Sequence, residues 1–134
     1  MPTVAALDAG VRELLLLDEE FLRCVRQRDA VRLAEMFYAS NTQIHAPGMA
    51  PHLGREGAES YWSSMFHGGL IDCRREALQV ETEHELAWST GQYHMTMETH
   101  PGMLQVEHSR YLTVYRRQPD GCWRVLAESL SRRE

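Results

Sequence analysis

Hydrophobic and polar positions alternate through the last third of the chain, from Leu86 to Arg133, and two tight turns divide that alternation into three strands. His100-Pro101-Gly102 marks the first turn, and Asp120-Gly121, suited to the positive φ angles of a type I′ loop, marks the second. Register follows by counting from the turns. With His100 to Met103 as a four-residue loop, Tyr93 stands opposite Arg110, Met95 opposite His108, Met97 opposite Val106 and Gly91 opposite Leu112. A two-residue turn at His84-Glu85 pairs Thr82, Val80, Leu78, Glu76 and Arg74, on a strand from about Ile71 to Glu83, with Ala87, Ser89, Gly91, Tyr93 and Met95. Counting back from Asp120-Gly121 places Val125, Ala127 and Ser129 on this same mostly apolar face, with Leu126, Glu128 and Leu130 on the other. A one-residue slip would exchange those two sets. The opposite face carries Trp88, Thr90, Gln92, His94, Ser109, Tyr111, Thr113 and Tyr115.

Helical spacing dominates upstream. Leu7, Val11, Leu14, Leu15, Phe21, Leu22 and Val25 predict a helix from about Val4 to Gln27, and Asp29 caps a second over Ala30 to Phe37. Ala58, Tyr61, Trp62, Met65 and Phe66 fall at i, i+3, i+4, i+7 and i+8 of a third, which Gly68-Gly69 stops. Between the second and third, Thr42 to His45 reads as a short strand and Ala46 to Pro51 as a turn-rich loop. Helices followed by a meander of long strands predict an α+β domain in which three N-terminal helices cover one face of a curved sheet.

With 134 residues, the chain has the length of one domain, residues 1–134. Net charge is −5 and all fourteen basic residues are arginines, scattered along the chain, so nucleic acid is not an expected partner. No segment approaches the roughly 20 apolar residues of a membrane span, which predicts a cytosolic protein. Cys24, Cys73 and Cys122 are odd in number and far apart, and they read as reduced thiols. Gly54-Arg55-Glu56-Gly57 lacks the spacing and the lysine of a phosphate loop, so no nucleotide cofactor is expected. His94, His100 and His108 do not converge in this register, and no metal site is expected.

The predicted register sets one polar row into the apolar face, made of Glu76, Tyr93 and Arg110, with His108 and Met95 nearer the strand ends. Arginine offers a planar fork to a carboxylate and tyrosine can polarise an oxygen, so the row suits the polar head of a ligand. Alternatively, Glu76 and Arg110 neutralise each other as a cross-strand ion pair. The ligand-binding lining expected around the row is Tyr61, Trp62, Phe66, Leu112, Ala127 and Ser129. Such a face predicts a pocket for a small, largely apolar molecule carrying one polar or anionic group.

Several local motifs occur together. Phe37-Tyr38 precedes Asn41-Thr42-Gln43-Ile44-His45-Ala46-Pro47-Gly48, and Leu53-Gly54-Arg55-Glu56-Gly57-Ala58 opens a helix. Gly91-Gln92-Tyr93 and Arg110-Tyr111-Leu112-Thr113-Val114-Tyr115-Arg116-Arg117 follow, and then Asp120-Gly121-Cys122-Trp123-Arg124-Val125. Over roughly Leu14 to Arg132 the chain resembles the SnoaL-like branch of the nuclear transport factor two and ketosteroid isomerase superfamily. That resemblance implies a cystatin-like α+β cone, usually a homodimer through its outer sheet face. It also implies cofactor-independent proton transfer, with His45 at the position of the general base and Tyr93 and Arg110 stabilising negative charge. The position of the oxyanion-stabilising tyrosine falls on Phe21, which has no hydroxyl. The superfamily includes isomerases, dehydratases and cyclases alongside non-catalytic ligand-binding and assembly domains, so both classes stay open.

Overall fold

A computed structural model describes residues 9–132. Two helices, α1 (Ala9–Arg26) and α2 (Ala30–Phe37), come first, and β1 (Tyr38–His45) and β2 (His52–Leu53) separate them from α3 (Gly54–His67). The long strands β3 (Leu70–Glu83), β4 (Leu86–His100), β5 (Met103–Arg117) and β6 (Trp123–Arg132) follow. The six strands form one sheet in the order β2-β1-β6-β5-β4-β3, antiparallel except for the parallel pair β1 and β6. The predicted helix start before Ala9 lies outside the described residues. The two-residue strand β2, which pairs with Gln43 and Ile44, arises within what the sequence presents as loop.

Of the stripes that spacing predicts, α1 buries Leu14, Phe21 and Val25 and leaves Val11, Leu15 and Leu22 half-buried, and α3 buries Ala58, Tyr61, Trp62 and Phe66 and leaves Met65 half-buried. From α2, Leu33, Ala34 and Phe37 are buried. The Asp29 side chain caps α2 by accepting from the Arg32 amide at 3.0 Å. These stripes meet Tyr93, Met95, Met97, Tyr111, Tyr115 and Val125 of the sheet in a single core, so the concave face is the buried one. Gly91 lies on that face where Tyr111 crosses it. A Cβ there would collide with the Glu76 carbonyl and the hydroxyl end of Tyr111, so only glycine lets the strands approach.

β-Bulges correct the predicted register. His100 does pair with Met103, but Thr99 bulges, so Tyr93 stands opposite Ser109 and Gly91 opposite Tyr111. Every side chain of β5 up to Tyr115 therefore exchanges faces: Tyr111, Thr113 and Tyr115 are buried in the cone, while Arg110 and Leu112 are exposed outside it. On β3, Thr82 and Val80 pair with Ala87 and Ser89 as counted. Leu78 then bulges, 84% exposed, and Arg75 replaces Glu76 opposite Tyr93. On β6, Val125 is buried as expected, but Leu126 is skipped between the pairs Tyr115–Val125 and Val114–Ala127. Glu128 and Leu130 therefore turn inward in place of Ala127 and Ser129.

Candidate functional site

Arg75 reaches the middle of the cone from β3, its side chain 1% exposed, and all five of its guanidinium N–H groups are engaged. Nε donates to Asp18 Oδ1 at 3.0 Å. One terminal nitrogen donates to the Tyr93 hydroxyl and, at 2.9 Å, to Glu128 Oε2, and the other donates at 2.8 Å to Thr113 Oγ1 and to the Tyr115 hydroxyl. The guanidinium plane also lies 3.7 Å from the Tyr111 ring centroid. Glu128, fully buried on β6, further accepts from Tyr38 at 2.9 Å, Tyr93 at 2.9 Å and Thr113 at 2.8 Å. Trp62 Nε1 closes the chain by donating to the Tyr38 hydroxyl at 2.9 Å. Two carboxylates and one guanidinium are thus held in the interior by hydrogen bonds from every surrounding layer, which is the condition for keeping such charges out of water.

Above this network the cone narrows to a pocket of about 210 Å³ at its mouth, lined by Ala46, Pro47 and Met49 of the β1–β2 loop, Tyr61 and Met65 of α3, Met95 of β4, Glu107 to Ser109 of β5, and Leu130 and Arg132 of β6. The Tyr61 ring of its lining packs edge-on against Trp62 with centroids 5.1 Å apart, and Trp62 in turn donates to the Tyr38 hydroxyl of the network. At least four larger hollows, of about 320 to 690 Å³, lie elsewhere. One of about 690 Å³ sits at the β3–β4 hairpin beside Trp88 and Val114, and one of about 390 Å³ lies between α1 and β3, walled by Leu15, Leu16, Leu22, Asp18 and Arg75. Among the described residues, no group of three or more His, Cys, Asp and Glu side chains is placed to hold a metal ion.

The residues expected to form the site divide between two faces. Tyr93, Met95, Trp62, Tyr61 and Phe66 are buried inside. His45, Arg110, Glu76, His108, Leu112, Ala127 and Ser129 are placed by register on the convex side, although His108 also contributes to the lining of the mouth pocket. The His45 ring is exposed and meets Gln43 Oε1 at 2.9 Å, so His45, Tyr93 and Arg110 do not converge. Glu76 stands 3.4 Å from Arg74, and His108 meets His94 nitrogen to nitrogen at 2.8 Å. Tyr93 does have an arginine and a glutamate beside it, but they are Arg75 and Glu128, each displaced from the predicted row by a bulge. One signal in the sequence bears on this: Leu14, Asp18, Phe21 and Val25 share a helical stripe, and a carboxylate on a buried stripe requires an inward partner.

Burial pushes the Asp18 carboxyl up to about 6, against the pull of the Arg75 charge and its hydrogen bond. The native acid thus binds its proton more tightly than the unfolded chain, whose aspartate titrates near 3.8. The resulting stabilisation is complete below that lower value and is lost as pH rises through about 6, a change on the order of 3 kcal/mol. Asp18→Asn is expected to abolish this slope. Urea denaturation at pH 4 and pH 7 would measure it, and parallel profiles for the two proteins would show an unshifted carboxyl.

Residues 19–125 match the SnoaL-like domain model. A ketosteroid isomerase-like protein from Erwinia carotovora atroseptica SCRI1043 superposes with a TM-score of 0.80 at 15% identity, covering 96% of this chain and 99% of that one. A proposed dehydratase of the NTF2-like family from Streptomyces avermitilis gives 0.78 at 16% identity, over 94% and 97% of the two chains. An NTF2-like protein with a cystatin-like fold from Novosphingobium aromaticivorans gives 0.69 at 20% identity, over 92% and 86%. At these identities the likeness is one of fold. No curated protein matches the chain.

Proposed function

The chain belongs to the SnoaL-like domain family, and from that premise we propose that it is a small-molecule-binding domain that takes its ligand at the mouth of the cone. The observation that carries this reading is the mouth pocket itself, whose walls are apolar at Tyr61, Met65, Met95 and Leu130, with polar groups at its rim. Below it, Trp62, Tyr93, Tyr38 and Glu128 fill the cone, which makes the buried ion network a floor and not a reaction chamber. Titration of the labelled protein with small apolar molecules is expected to move the resonances of Tyr61, Met65, Met95, Ser109 and Leu130. Met65→Arg, which fills the pocket, is expected to abolish the shifts. Shifts confined to the α1–β3 cleft or to the Trp88 hollow would overturn the reading.

Proton-transfer catalysis without a cofactor, as in an isomerase or dehydratase, is the second reading. Asp18 favours it, because a carboxyl raised to about 6 on the wall of a cleft can both give and take a proton at neutral pH. Turnover lost in Asp18→Asn, with substrate moving resonances at the α1–β3 cleft, would establish that reading over binding at the mouth.

A homodimer through the convex face is part of the same proposal. Trp88, 37% exposed, shares that face with Leu86, Leu112 and Val114. Tyr111, Tyr115 and Leu130, which the predicted register also placed there, are in the core. Glu76, Glu81 and Glu83 border the apolar centre on the β3 side, and Arg110, Arg116 and Arg124 border it on the other. A two-fold axis through the centre would set acidic edge against basic edge. Sedimentation is expected to give a dimer that Trp88→Glu dissociates, whereas a wild-type monomer at tens of micromolar would contradict it. Cytosolic residence belongs with this reading, since Cys24 and Cys73 are buried and unpaired and no helix among the described residues is long and apolar enough to cross a membrane.

A further inference from the structure

We propose, on the basis of the mouth-pocket reading, that the ligand is a neutral monocyclic aromatic carbonyl compound whose oxygen is held by the hydroxyls of Tyr61 and Ser109. Both side chains line the pocket, one from α3 and one from β5. Tyr61 is 4% exposed, and its hydroxyl makes no hydrogen bond among the described residues but keeps some solvent-accessible surface. Ser109 Oγ is buried and has no hydrogen-bond partner among them either. Buried polar groups are nearly always satisfied, so the unpartnered Ser109 Oγ, with the accessible Tyr61 hydroxyl on the same lining, marks a place where a ligand atom completes them.

The chemistry of the walls selects the class. Burial, and then the charge of Glu128, raise the Tyr61 pKa, so this phenol stays protonated and donates at neutral pH. A carbonyl oxygen has two lone pairs, one for each hydroxyl. Glu107 and Arg132 both line the pocket and offset each other, so its walls carry no net positive charge to attract an anion. The volume suits a single ring: a dry apolar cavity of about 150 Å³ takes benzene, and the mouth offers about 210 Å³. Met65 and Met95 favour an aromatic ring, since thioethers pack well at ring edges.

Acetophenone, ethylbenzene and benzoate are the probes, and dissociation constants come from resonance shifts at the mouth. Acetophenone is expected to bind about tenfold more tightly than ethylbenzene, the net worth of one to two hydrogen bonds, and benzoate more weakly than acetophenone. Tyr61→Phe and Ser109→Ala should each remove most of the acetophenone advantage. They should leave ethylbenzene affinity and Tm unchanged, because these hydroxyls bond nothing in the protein. The two variants test the same contact from opposite walls, so the loss of either to misfolding leaves the other. Equal binding of acetophenone and ethylbenzene at the mouth overturns the ligand class and leaves the mouth reading standing, as does tighter binding of benzoate. No shift at the mouth with any probe overturns both.

Discussion

Arg75→Met is expected to destabilise the protein by about 3–5 kcal/mol, because it strands the Glu128 carboxylate in the core without its countercharge. The side chain of Glu128 is fully buried, and the hydrogen bonds it keeps from Tyr38, Tyr93 and Thr113 do not replace a positive charge. Asp18 and the Tyr115 hydroxyl lose a partner in the same step. A loss of that size is a large part of the roughly 5–15 kcal/mol available to a domain, and it lowers Tm by more than about 10 °C. The double variant Arg75→Met, Glu128→Gln should be more stable than Arg75→Met alone, since the second change removes the uncompensated charge. Urea denaturation of the single and double variants measures both terms. A loss under about 1 kcal/mol in the single variant would mean that water reaches Glu128.

Trp62→Ala is expected to cost a further-reaching 3–5 kcal/mol or so, for a different reason: it opens a cavity at the centre of the aromatic core. The indole is fully buried and packs against Phe21 and Tyr61, each with ring centroids 5.1 Å away, and against Tyr93 at 6.2 Å. Its Nε1 also supports the Tyr38 hydroxyl that bonds Glu128. Trp62→Phe separates the contributions. It keeps most of the ring volume and loses the indole hydrogen bond, which predicts a smaller cost with about 1 kcal/mol assigned to that bond. Thermal melts of both variants test the assignment, and an unchanged Tm for Trp62→Ala would place the helix stripe in solvent.

The residue pattern was informative wherever structure is set locally. The stripe from Ala58 to Phe66 places Tyr61 and Trp62 indoors because a helix shows the same face every three to four residues. The alternation of β4 places Tyr93, Met95 and Met97 on the buried face for the corresponding reason in a strand. The candidate site was legible in half of its members. Tyr61, Trp62, Tyr93 and Met95 were in reach of periodicity. Arg75, Ser109 and Glu128 were not, because the bulges at Leu78, Thr99 and Leu126 turn each of them to the face opposite the one that counting from the hairpin turns gives.

By itself, then, the sequence determined the order of elements from α1 onward apart from β2, most of the buried stripes of α1 and α3, the hairpin turns and the inward face of β4, all of which follow from contacts within a few residues. Only the tertiary structure decided which faces of β3, β5 and β6 enter the cone. A bulge at Leu78, Thr99 or Leu126 changes one residue locally and reverses every side chain beyond it. The energy that selects those bulges is not local. Arg75 and Glu128 are 53 residues apart in the chain, and Asp18 is 57 from Arg75. Burying any one of them alone costs several kcal/mol, and the cost is offset only when α1, β3, β4, β5 and β6 bring all their hydrogen-bonding partners to one point.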